Sequence, residues 1–263
     1  MQDEKIVIIG GSGGMGLSAA KAFIKSGANV VVVGRDPIHL ETAQKQLGPS
    51  ALALKGDATD EETAVLAIER CVKKFGGFTG LYHVAGGSGR KYGDGPLHEL
   101  SLEGWEKTLQ LNLTSMMLSN RAAIKYFLLN GKGGAILNMG SVLGYSPSPG
   151  FFTTHAYAAA KSAIIGFSKS IAAYYAKDNI RVNVIAPALI DTPMAERVIG
   201  NPEILQFLKS KQPLDGGRAG IPEDVDGAAV FLLSKAANFI TGQVLAVDGG
   251  WTVSEGQYQN VSE

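Results

Sequence analysis

Short runs of β-branched and other apolar residues alternate with longer segments of helical periodicity along the chain. The apolar runs predict strands at residues 5–10, 29–34, 51–56, 80–85, 134–140, 180–186 and 243–249. Helical periodicity predicts helices at residues 15–27, 37–47, 60–76, 102–129, 155–177 and 222–235. This alternation is typical of strand–helix–strand units whose consecutive strands run parallel.

Several predicted strands, such as "KIVII" and "NVVVV", are apolar at nearly every position, as in a sheet buried on both faces. We therefore expect an α/β fold with a doubly wound, Rossmann-type parallel sheet of about seven strands and helices on both faces. No composition break divides the chain, so residues 1–263 are predicted to form a single domain. Segments 86–98, 142–154 and 187–221 are predicted to be irregular substrate loops, because each follows a strand and ligands bind beyond the carboxyl ends of parallel strands.

The composition favours a small-molecule partner. Lys plus Arg and Asp plus Glu both number 24, which argues against attraction to nucleic acid or to an anionic membrane. The chain has no apolar run of about 18 residues and no signal-peptide pattern, so we expect a cytoplasmic protein. Cys71 is the single cysteine and the four histidines lack ligand spacing, so no metal site is expected.

The segment "GGSGGMG" follows the first predicted strand and opens a helix. Gly10, Gly14 and Gly16 form a G-x-x-x-G-x-G pattern. Glycines let backbone N–H groups approach a pyrophosphate at a helix N-terminus, although tight turns use the same residues. Leu17 follows Gly16 where a nucleoside triphosphate loop has lysine, which favours a dinucleotide. The predicted contacts in this loop also include Ser12, Gly13 and Met15.

The end of the second strand, "VVVGRDP", is expected to meet the adenosine ribose. Asp36 has two interpretations, as an acceptor for the ribose hydroxyls or as the cap of the following helix, and the cap is favoured. Gly34 is expected to leave space and Arg35 to supply a cation for a 2′-phosphate, so NADP(H) is preferred and NAD(H) remains possible. Asp57, after the third strand, is a candidate acceptor for the adenine amino group.

The segment "YAAAK" places Tyr157 and Lys161 one turn apart on a predicted helix. Such a pair is common on helix surfaces, where a lysine extends past a tyrosine into water. Here the surroundings are apolar, and a neighbouring ammonium is expected to lower the pKa of Tyr157 from about 10. A phenol tuned in this way exchanges a proton with a carbonyl or an alcohol, which is half of a hydride-transfer reaction.

Over nearly its whole length the chain resembles the classical short-chain dehydrogenase/reductase family. The resemblance is based on the glycine loop, "VAGG" at 84–87, "LQLNLTS", "LNMGSV", the Tyr157/Lys161 pair, "RVNVIAPALIDTPM" and "TGQVLAVDGG", in the family's order. It implies that Tyr157 is the general acid/base and that Lys161 binds the nicotinamide ribose. It also implies that Ser141 binds the substrate oxygen and that Asn112 holds a water next to Lys161. Ser141 as a cap, and Asn112 bonded to the backbone of an interrupted helix, are the alternatives.

The resemblance also implies further cofactor contacts and an assembly. The cofactor contacts expected are Ala58, Ala85, Gly86, Tyr157, Lys161, Pro187, Ala188, Ile190 and Thr192. A homo-oligomer, tetramer or dimer, is expected, with the apolar helices near 105–129 and 153–176 packing against other copies.

The chain departs from the family pattern in ways that bear on the substrate. Ile9, His83 and Ala188 replace the usual threonine, asparagine and glycine. Segment 142–154 is longer than usual, and we expect Tyr145, Phe151 and Phe152 to line an apolar pocket face there. Arg90 and Lys91 are candidates for a cationic rim, with solvated surface charges as the alternative.

The expected activity is an NAD(P)(H)-dependent oxidoreductase that interconverts a ketone and a secondary alcohol. The alternative is a non-catalytic dinucleotide-binding regulator or scaffold, which has no need for Asn112, Ser141, Tyr157 and Lys161 together. A sugar-nucleotide epimerase or dehydratase is disfavoured because the segment after Pro187 is short for such a substrate region.

Overall fold

The computed structural model describes residues 1–195 and 200–256. Its strands are β1 (Lys5–Ile9), β2 (Asn29–Gly34), β3 (Ala51–Lys55), β4 (Gly80–His83), β5 (Gly134–Met139), β6 (Ile180–Pro187) and β7 (Val244–Val247). They form one seven-stranded sheet in the order β3-β2-β1-β4-β5-β6-β7, and every neighbouring pair is parallel. The predicted fold class is confirmed.

The α-helices of the described ranges differ from the prediction at two places. They are α1 (Gly14–Lys25), α2 (Pro37–Leu47), α3 (Glu61–Phe75), α4 (Leu102–Leu109), α5 (Ser115–Asn130), α6 (His155–Tyr175), α7 (Pro202–Lys211) and α8 (Pro222–Leu233). The predicted helix 102–129 is interrupted by a π-helical segment, Gln110–Thr114. Segment 187–221 is not irregular throughout, because it contains α7. Asn201 caps this helix by accepting a hydrogen bond from the Glu203 N–H.

Side chains of each strand alternate between two apolar layers. Ile6 and Ile8 of β1 belong to a buried cluster that includes residues of α1, α2 and α8. Val7 and Ile9 point the opposite way, into a cluster with residues of α3, α5 and α6. Helices therefore cover both faces of the sheet, which explains why its strands are apolar at successive positions.

The binding crevice of the fold opens where the chain changes direction across the sheet. β1 lies between β2 and β4, so the connections after β1 and β4 lead to opposite sides. The two strands end in contact, since the Ala85 N–H donates to the Ile9 carbonyl at 2.8 Å. A Cβ on Gly10, whose φ is +90°, would lie 2.7 Å from the Ala85 nitrogen. The close approach of the ends of β1 and β4 therefore requires glycine at position 10.

Among the described residues, no helix has the length and hydropathy needed to cross a bilayer.

Candidate active site

The glycine loop leaves the amino terminus of α1 without a side-chain cap. Gly13 is the extended N-cap residue, and the first turn of α1 contains no acidic residue. By contrast, Asp36 caps α2 and Asp60 caps α3. The first N–H groups of α1 are therefore suited to bind an anion such as a pyrophosphate.

Close packing requires glycine at position 16, and a φ of +49° favours glycine at position 14. A Cβ on Gly16 would overlap the Gly10 carbonyl oxygen, and one on Gly14 would lie 3.7 Å from a Thr192 side-chain carbon. The segment after β6 therefore closes over the loop from the other side of the crevice. The residues present fit a dinucleotide phosphate here.

At the end of β2, Asp36 caps the following helix as predicted, but the space beside Gly34 is not open as predicted. Asp36 Oδ1 accepts from the Ile38 and His39 N–H groups at 2.8 and 3.0 Å, and the His39 bond holds the pKa of Asp36 below its usual value. The cap interpretation of Asp36 is therefore confirmed. A Cβ on Gly34 would collide with the Ser12 side chain. The space beside Gly34 is thus filled by Ser12 instead of being open to a phosphate.

Arg35 and Asp57 lie near each other at the ends of the neighbouring strands β2 and β3. Asp57 Oδ1 accepts from the Thr59 N–H and hydroxyl at 2.9 and 2.8 Å. Partial burial opposes ionisation of Asp57, but these bonds and the charge of Arg35 bring its pKa below the usual value. Ala58 beside it is partly buried against the sheet.

A buried carboxylate that was not predicted from the sequence caps the amino terminus of α6, the helix that contains Tyr157. Asp94 is 3% exposed, and its two oxygens accept from the Ala156 and Tyr157 N–H groups, each at 2.9 Å. A carboxylate at a helix amino terminus is stabilised by those donors and by the helix dipole. Because 63 positions separate Asp94 from Tyr157, no local pattern links them.

Tyr157 and Lys161 face the same side of α6. Lys161 is 3% exposed, its Nζ donates to the Met139 carbonyl at 2.8 Å, and it lies 5.4 Å from the centre of the Tyr157 ring. Burial lowers the pKa of Lys161 to about 8. Burial also raises the pKa of Tyr157 to about 12, although a hydrogen bond with Ser141 acts in the opposite direction. The predicted lowering of the Tyr157 pKa is therefore wrong for this structure, because desolvation disfavours the phenolate.

Ser141 is held against α6 by the turn that follows β5. Its Oγ accepts from the Leu143 N–H at 3.2 Å, as the cap interpretation expects. A Cβ on Gly144 would lie 2.9 Å from the Lys161 backbone, so this turn packs directly on the helix. The cap does not use the hydroxyl proton of Ser141, so this proton is shared between Tyr157 and a ligand oxygen.

Asn112 lies in the π-helical segment next to Lys161. Its Nδ2 donates to the Gly87 and Thr108 carbonyls, both at 2.9 Å, and its Oδ1 accepts from the Gly87 N–H at 3.2 Å. These are the backbone contacts of the alternative interpretation. A Cβ on Gly86 would lie 2.6 Å from Asn112 Oδ1 and 3.8 Å from Lys161 Nζ. The structure therefore brings Gly86, Asn112 and Lys161 together.

Comparisons with known proteins agree with this arrangement. A family profile described as Enoyl-(Acyl carrier protein) reductase matches residues 10–252. The Xanthobacter autotrophicus protein "Inactive 2-(S)-hydroxypropyl-CoM dehydrogenase 2" is 37% identical over 89% of this chain and 99% of its own. Cis-4-hydroxycyclohexanecarboxylate dehydrogenase from Sinomonas cyclohexanicum is 34% identical over 94% of this chain and 95% of its own.

Solved structures give the same result. A short-chain type dehydrogenase/reductase from Mycobacterium ulcerans has a TM-score of 0.88 and 31% identity, over 97% of this chain and 91% of that chain. The 3-ketoacyl-(acyl-carrier-protein) reductase from Brucella melitensis, solved with NADH, has a TM-score of 0.84 and 28% identity, over 96% and 99% of the two chains.

This chain belongs to the short-chain dehydrogenase/reductase family. It is an oxidoreductase acting on alcohols and ketones with a nicotinamide dinucleotide as its cofactor.

In this short-chain dehydrogenase/reductase, a cavity of about 170 Å³ lies beside Ser141 and Tyr157. Residues of segments 86–98, 142–154 and 187–221 and of the glycine loop surround it. Besides Ser141 and Tyr157, the described lining residues are Met15, Ser88, Arg90, Val142, Leu143, Phe152, Thr154, Ala188, Leu189, Ile190, Thr192, Ala195 and Trp251.

The apolar wall of this cavity contains one predicted aromatic residue and one that was missed. Phe152 lines the cavity, but Phe151 and Tyr145 are not among the described lining residues. Trp251 is the missed residue; its ring lies 5.5 Å from that of Phe152 and its Nε1 donates to the Ser146 carbonyl at 3.2 Å. The only sequence signal for Trp251 is its place directly after "VDGG".

The cofactor side of the cavity is held by a residue outside the predicted set. Pro187 ends β6, and Leu189 follows it in the segment that contains the predicted contacts. Gln212 Oε1 accepts from the Leu189 N–H and Gln212 Nε2 donates to the Leu189 carbonyl, both at 3.2 Å. Gln212 therefore fixes this segment from the end of α7.

His83, which replaces an asparagine of the family pattern, is part of the packing beneath Lys161. Its Nδ1 lies 2.8 Å from Ser119 Oγ and its Nε2 lies 3.4 Å from Ser115 Oγ. Burial lowers the pKa of His83 to about 3, and the charge of Lys161 acts in the same direction. His83 is therefore neutral at physiological pH and links β4 to α5.

Within the described ranges, no group of three His, Cys, Asp or Glu side chains is arranged to hold a metal ion.

Proposed function

We propose that this enzyme interconverts a ketone and a secondary alcohol by NAD(P)(H)-dependent hydride transfer, with Tyr157 as the general acid and base. The observation that supports the proposal is the convergence of Ser141, Tyr157 and Lys161 beside a cavity that the glycine loop also borders. Ser141 follows the end of β5, Tyr157 lies in the first turn of α6 and Lys161 lies in its second turn.

In the reductive direction, these side chains supply a proton and stabilise charge. A reduced nicotinamide cofactor held at the glycine loop and the amino terminus of α1 would supply the hydride. Tyr157 donates its phenolic proton to the carbonyl oxygen, and the Ser141 hydroxyl donates a hydrogen bond to the same oxygen as it becomes negative. Lys161 stabilises the phenolate that remains. Burial raises the pKa of Tyr157 to about 12, so the phenol carries its proton at neutral pH, as an ordinary tyrosine also does, and it gives up that proton less readily.

The substrate class follows from the cavity and from the relatives. The cavity of about 170 Å³ is smaller than the roughly 300–1,000 Å³ typical of drug-sized ligands, which favours a compact substrate. By their names, one relative acts on cis-4-hydroxycyclohexanecarboxylate and another on 2,5-dichloro-2,5-cyclohexadiene-1,4-diol. The apolar wall with Phe152 and Trp251 suits a ring of this size. We therefore favour a cyclic secondary alcohol or its ketone.

The two cofactors differ in a 2′-phosphate, and the proposal assigns the recognition of this phosphate to Arg35. Arg35 is exposed at the end of β2, and Asp36 is engaged in capping α2. This favours NADP(H). The Arg35→Ala variant is expected to weaken NADPH more than NADH, measured as dissociation constants by calorimetry. Equal weakening of the two would make Asp36 the better candidate for specificity.

Turnover and cofactor binding of two variants test the mechanism. Tyr157→Phe is expected to bind cofactor almost normally and to lose about 10²- to 10⁴-fold in turnover, because only the transferable proton is removed. Lys161→Ala is expected to reduce both, since the family resemblance implies that Lys161 also binds the nicotinamide ribose. Unchanged turnover of Tyr157→Phe would exclude the mechanism.

The non-catalytic alternative makes a different prediction. One relative is named inactive, so cofactor binding and turnover are measured separately for this chain. A dinucleotide-binding scaffold would bind NADPH or NADH and leave a panel of cyclic ketones unreduced. Cofactor oxidation followed by absorbance, with both cofactors at matched concentrations, distinguishes the two functions.

Homo-oligomerisation is part of the same proposal. Leu129 at the end of α5 is 87% exposed and Tyr174 of α6 is 65% exposed. Large apolar side chains on these two helices suit packing against other copies. Light scattering of the purified protein is expected to give the mass of a tetramer or a dimer.

A further inference from the structure

Ser115 holds the helical break before α5 with its backbone and its side chain together. In the π-helical segment Gln110–Thr114 the register is wider than in an α-helix, and the Ser115 N–H donates to the Gln110 carbonyl, five positions back. In an α-helix this N–H would bind the Leu111 carbonyl instead. Here the Leu111 carbonyl accepts from the Ser115 hydroxyl at 2.8 Å. The side chain of Ser115 thus replaces the backbone hydrogen bond that the π-helical register removes.

This register determines where Asn112 points. Asn112 bonds to both backbone groups of Gly87, and a Cβ on Gly86 would lie 2.6 Å from its Oδ1 and 3.8 Å from Lys161 Nζ. The π-helical segment holds one residue more than an α-helical path would. Its loss would rotate the Asn112 side chain relative to α5 by roughly 100°, the angle between successive residues of a helix. Asn112 therefore reaches Gly87 only while the π-helical register is kept.

The imidazole of His83 packs against the end of the π-helical segment from β4. His83 is 2% exposed, and its Nε2 lies 3.4 Å from Ser115 Oγ and its Nδ1 2.8 Å from Ser119 Oγ. The ring also hydrogen-bonds with the Ala85 backbone, so it joins the loop after β4 to both serines. Burial and the charge of Lys161 keep the ring neutral. A neutral imidazole donates with one nitrogen and accepts with the other, which suits a position between hydroxyls and backbone.

We propose that His83 is a positioning residue that acts through Ser115 to keep Asn112 in place. The buried imidazole holds the Ser115 hydroxyl on the Leu111 carbonyl, and this bond maintains the π-helical register. Neither His83 nor Ser115 is among the described residues that line the substrate cavity. The inference rests on the proposed function, because the positioned groups, Asn112 and Lys161, act in hydride transfer.

The first test is Ser115→Ala, measured as the reduction of cyclohexanone with NADPH. Without the hydroxyl the Leu111 carbonyl loses its partner, so kcat is expected to fall about 10-fold while KM for the ketone changes by less than about 3-fold. His83→Asn ends where Nδ1 of the imidazole lies and is too short to reach Ser115, so a similar loss is expected. Because both changes act through one path, the double variant is expected to lose no more than the larger single loss.

Ser119→Ala is the matched control. It removes the closer of the two serine contacts of His83 and leaves the π-helical segment untouched, so kcat is expected to stay nearly unchanged. Amide hydrogen exchange at Gly87, measured by NMR, gives a readout that does not depend on activity, since this N–H donates to Asn112 Oδ1 at 3.2 Å. Exchange there is expected to become about 10-fold faster in Ser115→Ala and to stay unchanged in Ser119→Ala.

The outcomes separate positioning from stability and from the proposed function. Equal losses of kcat in Ser115→Ala and Ser119→Ala, or a normal kcat in His83→Asn, would overturn the inference. A loss of kcat in Ser115→Ala with unchanged exchange at Gly87 would also overturn it, because the effect would then bypass Asn112. If the wild type reduces no cyclic ketone, the proposed function fails and exchange at Gly87 decides. Faster exchange in Ser115→Ala and His83→Asn than in the control supports the inference, and equal exchange overturns it.

Discussion

The glycine loop and the wall of the substrate cavity are built in opposite ways. In the glycine loop, the determining feature is the absence of side chains, and Gly16 packs on Gly10 six positions earlier. In the cavity wall, the determining contacts join distant segments. Trp251 bonds to Ser146, 105 positions away, and Asp94 reaches Tyr157 across 63 positions.

This difference shows which kind of site a single sequence reveals. A loop that needs missing Cβ atoms must have glycine at fixed spacing, so its requirement is visible within one short segment. A wall made by aromatic packing and by a distant carboxylate requires only that suitable side chains arrive from elsewhere. Many sequences meet that requirement, so no spacing marks it.

Gly16→Ala should give the largest loss of kcat/KM and of cofactor affinity. It tests the glycine loop, the region that depends on local geometry. The added Cβ would overlap the Gly10 carbonyl oxygen and force the phosphate-binding backbone to move. A displacement of about 1 Å costs on the order of 100-fold in kcat/KM, and cofactor affinity is expected to fall with it. Steady-state kinetics and cofactor titration measure both.

Gly227→Ala is the matched control in α8, where an added Cβ has no atom within 4 Å. It is expected to leave cofactor affinity unchanged and to raise stability by up to about 1 kcal/mol, because alanine favours a helix. A similar loss of affinity in both variants would contradict the local origin of the glycine requirement.

Asp94→Ala should give the second-largest effect, a fall in kcat. It tests the cavity wall, the region built from distant contacts. Asp94 is a positioning residue, since it holds the N–H of Tyr157 and does not line the cavity. Its removal lets the first turn of α6 shift, so kcat is expected to fall by about 10-fold while the cofactor dissociation constant stays nearly unchanged.

The control for Asp94 is Asp60→Ala, which removes a carboxylate cap from α3 far from Tyr157. Loss of such a cap costs about 1 kcal/mol of unfolding free energy. If Asp60→Ala lowers kcat as much as Asp94→Ala at a temperature well below the unfolding midpoint, the positioning role is wrong and only stability is involved.

Asp226→Asn should give the smallest effect and concerns the contact of α1, the helix that follows the glycine loop, with α8. Ser18 of α1 donates to Asp226 of α8 at 2.7 Å, and burial raises the pKa of Asp226 to about 6. Between about pH 4 and pH 6 the folded protein therefore binds more protons than the unfolded chain, so this group lowers stability as the pH rises through that window.

An asparagine at this position removes the titration. The unfolding midpoint of Asp226→Asn relative to the wild type is expected to rise by on the order of 3 °C between pH 4 and pH 7. Thermal unfolding followed by circular dichroism at both pH values measures it. The same difference at both pH values would show that Asp226 does not titrate in this range.

The sequence predicted the seven strands and most helices because buried strands and amphipathic helices leave distinct periodicities. It missed α7, although Asn201 and Pro202 form a cap followed by a first-turn proline. The helix was not predicted because the prediction treats the whole of segment 187–221 as one irregular loop. The break at Gln110–Thr114 was missed because an apolar helical pattern continues across it.

Within the site, the sequence predicted residue identities better than their electrostatics. The spacing of Tyr157 and Lys161 predicts that they share a helix face, and the structure agrees. The direction of the Tyr157 pKa was wrong, because it depends on how much water the surrounding segments exclude. The role of Gly34 was also wrong in part, since Ser12 fills the space beside it.

By itself, the sequence determined the order of strands and helices, the glycine loop and the one-turn spacing of Tyr157 and Lys161. Each of these depends on residues close together along the chain, through periodicity, missing Cβ atoms or helix geometry. Only the tertiary structure decided that Asp94 caps α6, that Trp251 completes the cavity wall and that burial raises the pKa of Tyr157. Those features depend on which distant segments meet and exclude water, and the packing of the whole sheet sets that.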